Sequence, residues 1–241
     1  AVDATDIATI TARPALTKLH GISEEDFPPL PRFEGGMSYQ VPQNMLRDML
    51  EMTHYAASVE DNRRNLNGIL LSFKGEQVSA VGTDGRRLAL VEQELEFPAE
   101  AEADYLLPSK TVNELLRTLA DDETPVRLQT SGSQISFDYG TMFVVSRLLD
   151  EKYPNFRQVI PSHSLERVTF EREALLNAVK RVSIIAGTDT TQLLRMEFTE
   201  NQVELSVEVP ELGESREILP IKYSGKNMMV AFNPEFVMDP L

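Results

Sequence analysis

The chain has 241 residues, of which 41% are hydrophobic and 25% charged, a composition typical of one large or two ordinary globular domains. It contains no cysteine, which excludes disulfides, thiolate metal sites and cysteine nucleophiles and fits a cytosolic protein, and no apolar run is long enough to cross a membrane. The net charge of −15 argues only weakly against nucleic acid as a partner, because binding depends on where the charges lie.

Residues 1–36 show little regular patterning. One short strand is predicted at 7–10, and the loop at 26–31 carries three prolines within four residues. Proline blocks a helix and restricts the residue before it, so this loop favours an extended linker. We therefore interpret 1–36 as the end of one domain followed by a linker.

The segment 37–162 has the pattern of a complete α+β unit. Apolar residues recur with the helical period at 45–57 and again at 109–119. Short alternating runs interrupted by glycine and aspartate predict strands. These runs lie near 66–73, 77–83, 86–93, 126–129, 134–137 and 142–146.

The pattern then restarts in 163–241, which begins with a predicted helix at 170–182. The matching pairs are 71–78 with 196–205, 107–112 with 233–238, Phe73 with Phe198, and Gln77 with Gln202, the last two pairs each 125 residues apart. Such a long period indicates a repeat of whole domains rather than a solenoid. Because the second copy stops where its second helix begins, we expect 163–241 to be incomplete and the sequence to be a fragment.

Residues suited to catalysis do not form a recognisable set. The histidines His20, His54 and His163 are far apart and have no partners at metal-ligand spacing, and no glycine-rich phosphate loop occurs. Neither a metal nor a cofactor is therefore expected. One catalytic alternative is a carboxylate-based hydrolase that uses Asp84 with an acid from the turn 121–123. Turn formation is the favoured interpretation of Asp84, since Asp-Gly is a typical hairpin sequence.

Two segments carry a resemblance to a known family. Residues 81–89 read Val-Gly-Thr-Asp-Gly-Arg-Arg-Leu-Ala and resemble the TDGxRLA segment of the bacterial DNA polymerase III sliding clamps, the β subunits. Residues 146–156 are similar to a second segment of that family, which runs from Ser-Arg-Leu to an aromatic residue, Pro and Asn. Weaker matches, at 26–31, 221–225 and 232–233, follow in the family's order, so the resemblance extends through essentially the whole chain.

This resemblance implies a DNA clamp fold of class α+β, with three similar domains, each with two helices and two antiparallel sheets. Two subunits form a head-to-tail homodimer ring whose helices line the hole. By this comparison, 1–36 is the end of domain one, 37–162 is domain two and 163–241 is an incomplete domain three. The fragment itself is expected to be a monomer or to make a non-native contact.

The resemblance also implies a function, that of a processivity factor without catalytic activity in the bacterial cytoplasm. Its partners would be double-stranded DNA, the polymerase III core, the clamp loader and other proteins with clamp-binding peptides, with no membrane involved. The matching peptide-groove positions are Leu66, Thr83, Gly85, Arg86, Arg87, Leu88, Pro154, Val159, Asn233 and Phe236. Core packing remains an alternative for Leu66 and Leu88. Arg86 stands where many members have histidine, and Gln158 where some have arginine, which leaves partner preference open.

Basic residues gather on predicted helix faces. Lys110, Asn113 and Arg117 lie opposite the apolar side of their helix, and the next repeat offers Asn177, Lys180 and Arg181. The basic residues of this group, together with Arg63 and Arg64, are expected to face DNA. An ordinary solvated face is one alternative, and a scaffold that shares the fold but never touches DNA is another. By resemblance, Ile184 and Ile185 belong to the dimer interface.

Overall fold

The computed structural model describes residues 2–3, 5–27, 29, 31, 33, 35–60, 62–164, 166–187 and 193–241. Its first element is an antiparallel hairpin of β1 (Ile7–Ala12) and β2 (Ala15–His20), with Ile7 opposite His20. The sequence predicted only one strand here. The proline-rich loop lies partly outside the described residues. No helix in the described part of the chain is long and apolar enough to span a bilayer.

The central unit contains two helices and two four-stranded antiparallel sheets. Its helices are α1 (Gln43–His54) and α2 (Ser109–Thr118), and its strands are β3 (Ser38–Pro42), β4 (Gly68–Lys74), β5 (Gln77–Thr83), β6 (Leu88–Glu94), β7 (Ala103–Pro108), β8 (Pro125–Ser131), β9 (Gln134–Tyr139) and β10 (Met142–Arg147). The strand orders are β6-β5-β4-β7 and β10-β9-β8-β3. Both helices pack against each other and against the first sheet.

The sequence patterns missed β3 and β7, for a shared reason. Each is a short strand that runs straight into a helix, and each ends in a proline, Pro42 or Pro108, which adopts extended angles at the helix N-cap. Proline suits this position because the first helical turn needs no N–H from it. From sequence alone, each strand therefore looks like the segment that precedes the helix rather than like a separate strand.

An aromatic cluster anchors the core of the central unit. Tyr39 of β3 stacks on Phe73 of β4 with ring centroids 3.9 Å apart, and Phe97 and Tyr105 meet both rings edge-on. Burial, together with the 2.9 Å hydrogen bond between the Tyr39 and Tyr105 hydroxyls, raises the pKa of the Tyr39 phenol. This cluster joins the two sheets through the strands that precede the two helices.

The second repeat has its own hydrophobic core. Its elements are α3 (Arg172–Ser183), β11 (Leu194–Thr199), β12 (Gln202–Val209), β13 (Gly213–Pro220), β14 (Met228–Phe232) and α4 (Pro234–Met238). The sheet order β13-β12-β11-β14 reproduces the order β6-β5-β4-β7 of the central unit. The architecture is α+β, as predicted, and the repeated strand order agrees with the repeat seen in the sequence. The domain boundaries proposed from the sequence remain predictions.

Candidate functional site

The turn between β5 and β6, residues 83–88, is held by its own side chains. The Thr83 hydroxyl donates to the carbonyl of Arg87 at 2.5 Å and accepts from the N–H of Gly85 at 3.1 Å. Asp84 Oδ1 accepts from the N–H groups of Arg86 and Arg87 at 2.8 and 3.0 Å. Gly85 has φ +86°, which an L side chain rarely adopts. These hydrogen bonds and the positive φ of Gly85 therefore fix the conformation of the turn.

Asp84 is a structural aspartate in this geometry. Its second carboxylate oxygen accepts from Arg87 Nε at 3.1 Å, so both oxygens are engaged within the turn. In the turn at 121–123, Asp122 accepts from Gln43 and Thr124 instead, and no bond in the described part of the chain joins Asp84 to that turn. The described residues also contain no group of three potential metal ligands. The hydrolase hypothesis is not supported.

A cavity of about 500 Å³ opens beside the turn. It is lined by Asn65, Leu66, Thr83, Gly85, Arg86, Arg87, Leu88, Pro154, Asn155, Phe156 and Val159. All eight groove positions expected from the central unit are therefore brought together. Asn65, Asn155 and Phe156 were not predicted, although Phe156 ends the second motif segment and could have been found there.

The two leucines of the cavity differ in their surroundings. Leu66 is only 9% exposed, while Leu88 is half-buried and also packs against the small buried cluster of Leu70, Val81 and Leu106. Core packing and cavity lining are therefore compatible for Leu88. Val159, at the rim, is 68% exposed and so is available to a ligand.

Asn233 and Phe236 lie on the other side of the turn. They line a second cavity, of about 460 Å³, together with Arg86 and Arg87 but without the two leucines. The Asn233 side chain also caps α4 by accepting from the N–H of Glu235 at 2.8 Å. The predicted groove set is thus split into two neighbouring cavities that share the two arginines. Gln158 is exposed and is not among the lining residues of either cavity.

Arg87 connects the two repeats. Its guanidinium forms an ion pair with Asp239, donates to the carbonyl of Tyr55 at 2.7 Å and lies 4.5 Å from the ring centroid of Phe236. Burial raises the pKa of the Tyr55 phenol, and the Arg87 charge opposes that rise. The charged end of Arg87 is therefore occupied within the chain, and its stem is what remains to line the cavity.

The residues expected to face DNA fall into two groups. Lys110, Asn113 and Arg117 are exposed on α2, opposite the buried side of that helix, although Arg117 pairs with Glu114 at 2.9 Å. Arg64 is exposed too. Arg63 instead donates to the carbonyl of Asp84 at 2.9 Å and pairs with Glu60 at 3.3 Å, so it braces the turn beside the cavity.

On α3, Asn177 and Lys180 are exposed, but Arg181 is held by Glu217 of β13 through two contacts of 2.9 and 2.5 Å. This hydrogen-bonded pair lowers the pKa of Glu217 and raises that of Arg181.

The two isoleucines expected at a dimer interface are not equivalent. The Ile184 side chain is 76% exposed, whereas Ile185 is half-buried and packs against the second core.

Family profiles match both repeats. The profile described as "DNA polymerase III beta subunit, central domain" matches residues 40–155, and the one described as "C-terminal domain" of the same subunit matches 157–241. The chain is 29% identical over 241 residues to the beta sliding clamp of Chlamydia muridarum, covering 100% of this chain and 65% of that protein. It is 30% identical to that of Escherichia coli K12, covering 90% of this chain and 58% of that protein.

Solved structures agree with these sequence matches. The sliding clamp of Bacillus subtilis superposes with a TM-score of 0.90 at 25% identity, covering 100% of this chain and 64% of that one. A Pseudomonas aeruginosa sliding clamp bound to griselimycin superposes with a TM-score of 0.89 at 26% identity, covering 99% and 64%. The chain thus spans 58 to 65% of the length of these relatives. With both repeats matched in sequence and in fold, the chain belongs to the family of the DNA polymerase III beta subunit, the beta sliding clamps.

Proposed function

We propose that this chain is part of a sliding clamp that encircles duplex DNA in the bacterial cytoplasm and tethers other proteins to it, without catalytic activity of its own. The observation that carries the proposal is the cavity beside the turn 83–88, where eight groove positions expected from the family lie together. The polymerase III core, the clamp loader and other proteins that carry a short clamp-binding peptide are the proposed partners.

The cavity suits a short peptide with large apolar side chains. Leu66, Leu88, Pro154 and Val159 give it apolar walls, and Gly85 leaves backbone open at its edge. Burial of one leucine and one phenylalanine of a partner would contribute about 3 to 6 kcal/mol before the cost of ordering the peptide. Such a site would give the moderate, reversible binding that exchange of partners requires.

The exposed helix faces support the proposed contact with DNA. Lys110 and Lys180 carry charges in exposed positions of α2 and α3 without an ion pair among the described residues. Phosphate contacts of this kind hold a duplex without reading its sequence, which suits a protein that must slide. Closure of the ring would be a head-to-tail contact between two full-length copies, in which the exposed Ile184 takes part.

Replacement of Leu88 by aspartate tests the groove. A labelled Gln-Leu-Ser-Leu-Phe peptide should bind the protein, and Leu88→Asp should weaken binding more than about ten-fold, because it places a charge in the apolar wall. Fluorescence anisotropy measures this. Leu212→Asp is the matched control, since Leu212 is 72% exposed in the corresponding turn of the second repeat. Equal affinity of Leu88→Asp and the wild type, with both folded by circular dichroism, would remove the groove assignment.

Topology on DNA separates a clamp from a scaffold of the same fold. The full-length protein, loaded onto nicked circular DNA by a clamp loader, should stay with the circle during gel filtration and should be lost once the DNA is linearised. Electrostatic binding without encirclement would instead survive linearisation and fall steadily with salt. Failure to remain on the circle at moderate salt would contradict the proposed function.

A further inference from the structure

The helices α1 and α3 are equivalent elements of the two repeats. Each has 12 residues, and each packs on the same two strands of its sheet, β6 and β5 for α1 and β13 and β12 for α3. A shift of 129 residues, from Gln43 to Arg172, superimposes their buried sides. The matching buried positions are 46, 49, 50 and 53 in α1 and 175, 178, 179 and 182 in α3. Exposed positions of the two helices can therefore be compared one by one.

The exposed side of α1 is acidic where that of α3 is basic. Three equivalent positions are exposed in both helices, and they are Asp48, Glu51 and Met52 in α1 and Asn177, Lys180 and Arg181 in α3. The one arginine of α1, Arg47, is half-buried and occupies the position of Leu176. The charge of this surface is therefore reversed between the repeats, although the packing beneath it is the same.

The two carboxylates of α1 have no structural role in the described part of the chain. There, the side chains of Asp48 and Glu51 form neither an ion pair nor a hydrogen bond, and both residues are exposed. Helix stability does not explain them, because the first turn of α1 has no acid and Glu51 lies in the last turn, where the helix dipole disfavours a negative charge. In α3 the order is the favourable one, with Glu173 in the first turn and Lys180 in the last.

The acidic side of α1 lies next to the helix face that is expected to contact DNA. Helices α1 and α2 pack against each other and against one sheet, so their exposed sides both point away from that sheet. Axes of packed helices are about 8 to 10 Å apart, and the Debye length at 0.1 M salt is about 10 Å. A duplex that touches Lys110 and Arg117 would therefore bring its phosphates within the electrostatic reach of Asp48 and Glu51.

We propose that α1 is a repulsive element of the DNA-facing surface, on which Asp48 and Glu51 keep the phosphates away while α2 and α3 hold the duplex. The inference rests on the proposed function of encircling DNA and assigns unequal roles to the helices. Like charges on the protein and on DNA repel, so the duplex lies nearer to α2 and α3 than to α1. Fewer phosphates are then bound at once, which weakens the grip that sliding must overcome.

Photo-crosslinking to DNA tests the position of the duplex. In the full-length protein, a photo-crosslinking residue replaces one of three exposed neutral residues, Met52 of α1, Asn113 of α2 or Asn177 of α3. After loading onto nicked circular DNA, the positions in α2 and α3 should crosslink, and the position in α1 should give less than about one fifth of their yield. Addition of Asp48→Asn and Glu51→Gln should raise the yield at position 52.

Binding titrations test the electrostatic cause. Asp48→Asn and Glu51→Gln should each raise the affinity of the full-length protein for a short duplex about two-fold at low salt, the effect of two unit charges about 10 Å apart in water. Glu51→Lys, which copies Lys180, should steepen the salt slope by about 0.9, the value of one phosphate contact. Asp138→Asn is the matched control, because it removes an equal charge from an exposed position of β9 in the second sheet and should leave the affinity unchanged.

The outcomes separate this inference from the proposed function. Equal crosslinking from all three positions, or equal affinities of Asp48→Asn and Asp138→Asn, would overturn repulsion by α1, while retention on circular DNA would still support a clamp. Crosslinking from none of the positions in a retained clamp would overturn the assignment of all three helices. A protein that does not stay on the circle would contradict the proposed function and this inference together.

Discussion

At the scale of single residues, Arg86 and Arg87 are neighbours with opposite surroundings. Arg87 forms ion pairs with Asp84 and Asp239, donates to the carbonyl of Tyr55 and lies over Phe236, while Arg86 is exposed. The sequence predicted a groove role for both, because both occupy groove positions of the family motif, although Arg86 stands where many members have histidine. Their difference could not be predicted, since the Arg87 contact to Asp239 spans 152 residues and exists only after both repeats have folded.

Replacement of Arg87 by lysine should loosen the junction between the repeats. Lysine keeps the charge, but its ammonium group cannot reproduce the contacts that the planar guanidinium makes with two carboxylates, a carbonyl and an aromatic ring. We expect a loss of about 1 to 3 kcal/mol in the free energy of unfolding, from hydrogen bonds to charged groups that are largely shielded from solvent. Thermal and urea unfolding measure it, with Arg86→Lys as the control that should change stability by less than about 0.5 kcal/mol. Equal stability of the two variants would show that the junction does not depend on Arg87.

At the scale of elements, the helices match the sequence more closely than the strands that lead into them. The faces predicted for α2 and α3 are the faces observed, because amphipathic periodicity is a local property that a single sequence records. The strands β3 and β7 are missed from sequence because they are short and their partners β8 and β4 lie far along the chain. The second strand of the first hairpin is missed although its partner is adjacent, because all six of its residues are exposed and it has no alternation of buried and exposed positions. The link between α3 and β13 through Arg181 and Glu217 is hidden from sequence for the same reason.

This link predicts unequal effects of the two cations of α3 on DNA binding. Lys180→Gln should weaken binding of the full-length protein and reduce the salt slope, log K against log salt, by about 0.9, the value of one phosphate contact. Arg181→Gln should have a smaller effect, because Glu217 already neutralises that guanidinium. Glu217→Gln should release Arg181 and raise the affinity. Binding titrations at several salt concentrations measure these changes, and a larger loss from Arg181→Gln than from Lys180→Gln would refute the argument.

At the scale of the whole molecule, the repeat of one architecture is visible both in the sequence and in the structure. Equivalent strands of the two sheets have the same order, and Phe73 and Phe198 occupy matching positions in β4 and β11. The turn after β5 lines the cavity of the proposed groove, while its counterpart after β12, residues 210–212, has an exposed leucine and no matching motif. Two copies of one architecture thus differ at this turn, because changes in a turn leave the sheet intact.

The side chain of Arg87 is also a mechanical element. It ties a turn of the central unit to the residue after α4 and contributes its stem to the wall of the cavity, so the two repeats and any bound peptide share one joint. We expect a partner seated there to fill space beside this joint and to resist bending of one repeat against the other. In the proposed ring, the angle at each such joint would set the curvature. On this proposal, occupancy of the groove and the shape of the ring would be coupled through one arginine.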